Sequence, residues 1–185
     1  AAKEGVRRID GPKYPRVGLV EVLEAMKAHP HYSAPIEGEN IGRGVAVGFW
    51  FNVGLESSVS ISVNGDGTVN LVEGSTDIGG TRTSISMQAA EVLGIAAEDV
   101  HPTIADTDSV GFTAVTGGSR VTYATGMAAH DAAQDIVRQM KERAALLWGV
   151  EADTVSFSDG QFSSGSESMA FRELASQLSD TGGPV

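Results

Sequence analysis

The chain has 185 residues, 41% of them hydrophobic and 20% charged, which allows one domain with a real core or a compact pair of small lobes. A formal net charge of -11 argues against a nucleic-acid footprint and against adhesion to an anionic membrane, both of which draw on clustered Lys and Arg. The absence of cysteine excludes a disulfide, a thiolate zinc site and a cysteine-held iron–sulfur cluster on this chain. No apolar run approaches the roughly 18 residues needed to span a bilayer. The stretch Ala1 to Arg8 is basic but lacks the apolar segment of a signal peptide, so the sequence reads as soluble and cytoplasmic. It lacks an initiator Met, opens on the helix-like AAKEGVRRI and closes on the turn TGGPV, so both ends read as cut from something longer.

Gly11 to Pro15 is a breaker segment. Leu19, Val22, Leu23 and Met26 then recur at helical spacing, which predicts a helix over Gly18 to His29, stopped by Pro30. A linker runs to Asn40, so the reading divides the chain into a helical lead-in over 1–40 and a lobe over 41–185. In the next stretch Val45, Val47, Phe49 and Phe51 alternate with smaller or more polar residues, and Val59, Ile61 and Val63 alternate with Ser. Asn64-Gly65-Asp66-Gly67 is a hairpin turn, because Asn, Asp and Gly tolerate positive φ. With Thr68 to Glu73 this predicts a three-stranded antiparallel meander. After it come a polar, Gly-rich loop (Gly74 to Thr81), a helix over Arg82 to Leu93 and a helix-ending Gly94. A short strand (Asp99 to Ala105) and a second polar loop (Asp106 to Arg120) follow. A helix of about 25 residues then carries Val121, Thr125, Ala128, Ala132, Ile136, Met140 and Ala144 on one stripe. The tail reads as a strand (Thr154 to Phe157), an Asp159-Gly160 turn and a helix from Ala170 to Leu178. The predicted class is α+β: an antiparallel β-meander with packed helices.

Each of the two Gly-rich loops follows a β segment and opens a helix. That arrangement aims unpaired backbone N–H groups, and the positive ends of two helix dipoles, at one place. Thr81, Thr116 and Ser119 add hydroxyls, and Arg120 could reach an anion. Spacing alone leaves two readings open, an anion site and a pair of ordinary caps and turns. Neither loop fits G-x-x-x-x-G-K-[ST] or G-x-G-x-x-G.

The run DGTVNLVEGSTDIGGTRTSISMQAAEVLGIAAEDV is similar to a signature of the large subunits of xanthine dehydrogenase/aldehyde oxidase-type molybdenum hydroxylases. There a strand leads to G-T-x-x-G-Q-G, a Gln- and Ala-rich helix and L-G-[IV]-x-x-[ED]-D-[VI]. IADTDSVGFTAVTGGSRVTYATGMAAHDAA and VSFSDGQF…SMAFRELA resemble the family's later segments, so the resemblance covers about Ile41 to Ala175. It implies one lobe of a molybdopterin-binding domain, in an oxidoreductase that hydroxylates a carbon centre with oxygen from water. It implies molybdopterin contacts at Gly79, Gly80 and Thr81 in the first loop and at Thr116, Gly117, Gly118, Ser119 and Arg120 in the second. The family's Gln of G-Q-G falls at Gly79, so that amide is missing here. The implied partners are the remaining lobes of the large subunit, iron–sulfur and FAD modules on other domains or subunits, and a small-molecule substrate, with no nucleic acid and no membrane. The family's catalytic Glu lies in a Gly-Glu motif that this chain does not contain, so no catalytic residue is assigned. The alternative reading is a non-catalytic α+β binding or assembly domain whose loops take a generic anion.

Other candidates carry less. His29, His31, His101 and His130 have no metal-cluster spacing, and Asp106 with Asp108 lacks the further oxygen ligands of a calcium loop. Asp131 and Asp135 read as a wet helix face, and Phe49-Trp50-Phe51 as strand packing.

Overall fold

The computed structural model describes residues 3–8, 11–48, 50, 52–104 and 108–185. It divides into two compact units, residues 1–49 and 50–185. In the first unit, α1 (Leu19–Ala28) forms where the spacing predicts it. It stops at His29, which the following Pro30 holds in an extended conformation (ψ 133°). A single turn, α2 (Pro30–Ser33), follows, and the Arg43 guanidinium donates to the carbonyls of Tyr32 and Ala34, both at 2.8 Å. No residue of either helix is buried, and Val22 on the predicted apolar stripe stands 65% exposed.

The second unit holds the core. β1 (Val59–Val63) and β2 (Val69–Glu73) pair antiparallel with Val63 opposite Val69. The turn between them closes as predicted: Gly67 donates to the Asn64 carbonyl (2.9 Å) with φ 82°, and Thr68 N–H donates to the Asp66 carboxylate (2.9 Å). The chain then crosses through α3 (Thr81–Leu93) and returns as β3 (Val100–Ile104), which pairs parallel with β2. β2 is therefore central, and Pro102 sits on the edge strand, where a missing N–H is tolerated. Gly94 ends α3 in the left-handed region; a Cβ there would meet the backbone of Asp159 and Gly160, so the helix end abuts the turn between two later strands.

The chain next makes a π-helical turn (Val121–Thr125) that runs directly into α4 (Gly126–Trp148). α4 packs on α3 and β1 through Ala129, Ala133, Ile136, Met140 and Ala144. The predicted stripe had Ala128 and Ala132 in place of Ala129 and Ala133. The rest of the predicted stripe, Val121, Thr125, Ile136, Met140 and Ala144, is buried as expected, so the difference is confined to these two positions. A second sheet follows, β4 (Ser156–Ser158), β5 (Gln161–Ser164) and β6 (Glu167–Ala170), all antiparallel, then α5 (Phe171–Ala175) and a 3₁₀ turn over Leu178–Thr181. Phe162 and Phe171 carry this end of the core, both essentially solvent-free.

The α+β class stands, with two corrections to its detail. The described residues of 45–51 form no strand, so that segment does not begin a meander; Phe49 and Phe51 lie outside the described residues. The first sheet is mixed rather than antiparallel, and the antiparallel meander is β4-β5-β6. Alternation alone does not make a strand, because a strand's partner is not written in its own period.

Candidate functional site

The first Gly-rich loop leaves the end of β2 and the second precedes the π turn, and the fold brings them together. Thr76 Oγ1 donates to Thr116 Oγ1 at 3.1 Å. Between them lies a hollow of about 420 Å³ whose walls include Ile78, Thr81, Thr116, Gly117, Ser119 and Thr122. A second hollow of about 650 Å³ opens beside it, sharing Ser119 and Thr122 and walled also by Gln88, Tyr123, Met127 and His130.

The second loop is held in an uncommon shape. Gly118 (φ 63°) and Ser119 (φ 55°) are both left-handed, a conformation that costs a non-glycine residue on the order of 1–2 kcal/mol. The segment just before β1 fixes it: Val53 N–H donates to the Gly118 carbonyl (3.1 Å) and the Asn52 amide to the Ser119 carbonyl (2.7 Å). A Cβ on Gly118 would lie 2.7 Å from a Val53 methyl, so Gly118 faces protein. A Cβ on Gly117 would meet nothing within 4 Å, nor would one on Gly79 (φ 62°) or Gly80 (φ 84°). Among the described residues, the N–H groups of Gly79, Gly80, Gly117 and Gly118 find no protein acceptor.

The two helix ends differ. Asp77 caps α3 from within the loop: its carboxylate accepts from Arg82 N–H (3.1 Å) and lies 3.5 Å from the Arg82 guanidinium. Thr81 Oγ1 accepts from Ile78 N–H (3.0 Å), closing the loop on itself. The first loop thus carries its own negative charge at its helix N-terminus. The second helical run starts at Val121, and its first backbone bond is Ala124 N–H to the Arg120 carbonyl (2.7 Å). The N–H groups ahead of that bond have no helical partner, and Val121 and Thr122 line the smaller hollow.

Arg120 corrects one expectation. Its side chain is fully buried and its guanidinium points inward. Nε donates to the Gly54 carbonyl (2.5 Å), Nη1 to Ala114 (3.1 Å), and Nη2 to the Glu56 carbonyl and Ser57 Oγ (both 2.6 Å), with a longer contact to Leu55 (3.3 Å). A guanidinium engaged in this way does not reach for an anion; it ties the second loop to residues 54–57.

Sequence reasoning also missed Glu73. It is the third inward position of β2, after Val69 and Leu71, with no exposed surface, and neither carboxylate oxygen meets a hydrogen-bond donor among the described residues. Burial, and secondarily the Asp77 carboxylate, raise its carboxyl from 4.5 to about 7, against the opposing pull of Arg82. The signal was present in V-N-L-V-E, where strand alternation puts a Glu on the core face. Met87, on α3, is 56% exposed. Part of the second loop, with Asp106, lies outside the described residues. Among the described residues, no three His, Cys, Asp or Glu side chains gather as a metal site, and no helix is long and apolar enough to cross a membrane.

Two loops bearing unpaired N–H groups around a hollow, on an α+β lobe, are what a domain that binds an anionic cofactor needs. Residues 22–184 match a family described as the molybdopterin cofactor-binding domain, and the chain belongs to that family. The aldehyde oxidoreductase molybdenum-binding subunit PaoC of Escherichia coli (strain K12) is 29% identical over 134 residues, 72% of this chain and 18% of that one. A nicotinate dehydrogenase subunit from Pseudomonas putida is 29% identical over 121 residues, 64% of this chain and 10% of that one. Among solved structures, the reconstituted CO dehydrogenase from Oligotropha carboxidovorans superposes with a TM-score of 0.62 at 26% identity, over 67% of this chain and 16% of its own. Quinoline 2-oxidoreductase from Pseudomonas putida 86 shares the fold, at a TM-score of 0.56 and 24% identity over 66% of this chain and 16% of its own. The chain spans less than a fifth of the length of each of these relatives.

Proposed function

We propose that this chain forms one wall of the molybdopterin seat in the large subunit of a molybdenum-dependent oxidoreductase that hydroxylates a carbon centre of a small molecule with oxygen from water. The observation that carries the reading is the meeting of the two loops around one hollow, with the N–H groups of Gly79, Gly80, Gly117 and Gly118 unengaged. Those donors and the Cβ-free approach at Gly117 fit a phosphate-bearing pterin. Asp77 favours a division of labour: the open helix end after Arg120, with Thr116, Gly117, Gly118 and Ser119, takes the phosphate. The self-capped loop, with Gly79, Gly80 and Thr81, takes an uncharged part of the pterin. Arg120 contributes by holding the second loop in shape. When bound, the cofactor supplies the two-electron redox chemistry; the residues here bind it, orient it and keep water from its edge.

Residues 41–185 are on this reading the cofactor lobe and 1–40 its lead-in. The other wall of the seat, the iron–sulfur and FAD modules, and a cytoplasmic location belong to the same proposal. The test is elemental and pterin analysis of the full-length parent purified from its own host. The expected result is about one molybdenum and one pterin per large subunit. A parent with neither would favour a non-catalytic domain with generic anion-binding loops.

A further inference from the structure

A chain of hydrogen bonds through one buried hydroxyl links four segments that contribute to the site. Thr125 closes the π turn before α4 and has no exposed surface. Its Oγ1 lies 2.6 Å from Ser75 Oγ, in the first Gly-rich loop, and 2.9 Å from Ser57 Oγ, in the segment before β1. Ser57 Oγ in turn accepts from Arg120 Nη2 (2.6 Å), at the end of the second loop. A guanidinium can only donate, so it takes a lone pair on Ser57 and favours a one-way order, Arg120 to Ser57 to Thr125 to Ser75. Ser57 and Thr125 then each give one proton and receive one, and Ser75 receives at the end of the chain. The Thr125–Ser75 bond is buried and the two bonds at Ser57 partly so, and away from bulk water such chains strengthen one another. The link between the loops on the open side, Thr76 to Thr116, is exposed and longer at 3.1 Å.

We propose that Thr125 is a positioning residue of the cofactor seat, whose hydroxyl fastens the first Gly-rich loop to the Arg120 clamp of the second, so that the two loops move as one body. The functional weight of the assignment rests on the reading of these loops as the molybdopterin seat; the mechanical coupling does not. Ser75 and Ser57 are the other members of the chain. Without the hydroxyl, the first loop keeps Asp77 and Thr81 as internal caps but loses its buried tie to Arg120.

The experiment is residue-resolved amide exchange on the 185-residue chain, comparing Thr125→Val with Thr125→Ser. The first loop offers protected reporters: Gly74 N–H on the Ser58 carbonyl (3.3 Å), Ile78 N–H on Thr81 Oγ1 and Arg82 N–H on the Asp77 carboxylate. The expected result for Thr125→Val is exchange at least about tenfold faster at these three amides. Val53 and Ala114, which report on the Arg120 side, and the strand amides of β1 and β2 keep wild-type rates. Thr125→Ser restores the wild-type pattern. Ser75→Ala removes the far end of the same chain without touching α4, and gives the same local loss; it decides the matter should Thr125→Val fail to fold. Unchanged loop rates, a uniform rise across the unit, or a Ser variant behaving like Val would overturn the proposal. A parent that carries no pterin while the exchange pattern holds would sink the cofactor reading and leave the coupling standing.

Discussion

Raising the pH from about 5 to about 8 lowers the melting temperature of the chain, and Glu73→Gln removes most of that dependence. The buried Glu73 carboxyl titrates near 7, against 4.5 for an ordinary Glu. Below 4.5 both folded and unfolded chains hold the proton, and the penalty is absent. Between 4.5 and about 7 only the folded state holds it, so folding takes up a proton and stability falls as pH rises. Above about 7 both are ionised and the loss is complete. At about 1.4 kcal/mol per pH unit this amounts to on the order of 3 kcal/mol as an upper bound. For a chain of this size that is roughly 6–12 °C. The cause is geometric: a carboxylate on the core face with no donor among the described residues is penalised for carrying its charge. Gln is nearly isosteric with the protonated form and stays neutral, so its curve is flatter whatever its absolute stability. Parallel melting curves for the two proteins across this range would show that Glu73 keeps its charge in the fold.

Replacing Arg120 costs the fold before it costs any ligand. Arg120→Met leaves the carbonyls of Gly54 and Ala114 and the Ser57 hydroxyl without the guanidinium that donates to them, while the Glu56 carbonyl keeps only the Ala114 N–H. An unmet acceptor costs about 1–3 kcal/mol where fully buried and less at these part-buried positions, so the summed loss is on the order of 3 kcal/mol. The urea midpoint should drop accordingly. Arg120→Lys should recover little, because one ammonium lacks the planar fork that reaches several carbonyls at once. A wild-type midpoint for Arg120→Met would contradict the clamp and return Arg120 to the ligand side of the loop.

Arg120 also shows where sequence reading reaches its limit. Local signals were legible: the Asn64–Gly67 turn, α1 stopped at Pro30, α3 ending at Gly94, and both Gly-rich loops opening helices. Each depends on residues a few positions apart. The parallel pairing of β3 with β2 joins Val69 to Val100, far along the chain. The π turn at the head of α4 is likewise not announced by the composition of VTYAT. In the site, the sequence named the loops, but it could not tell which glycine faces open space. Gly118 is backed by Val53, 65 positions earlier, whereas Gly117 is clear. Nor could an Arg beside a Gly-rich loop declare its direction, since an anion and a ring of carbonyls attract a guanidinium alike.

That difference between two adjacent glycines supplies the most direct test of the central claim. Gly117 has no left-handed φ to preserve, and a Cβ there meets nothing within 4 Å, so the loop itself should accommodate Gly117→Val. A ligand brought against the backbone would not. The measurement is the molybdenum content of the full-length parent carrying Gly117→Val, set beside its cofactor-free unfolding midpoint. The account predicts at least a tenfold fall in molybdenum per subunit with the midpoint within about 0.5 kcal/mol of wild type, the range of a surface substitution. Full molybdenum content in a normally folded Gly117→Val parent would contradict the placement of the cofactor against this loop.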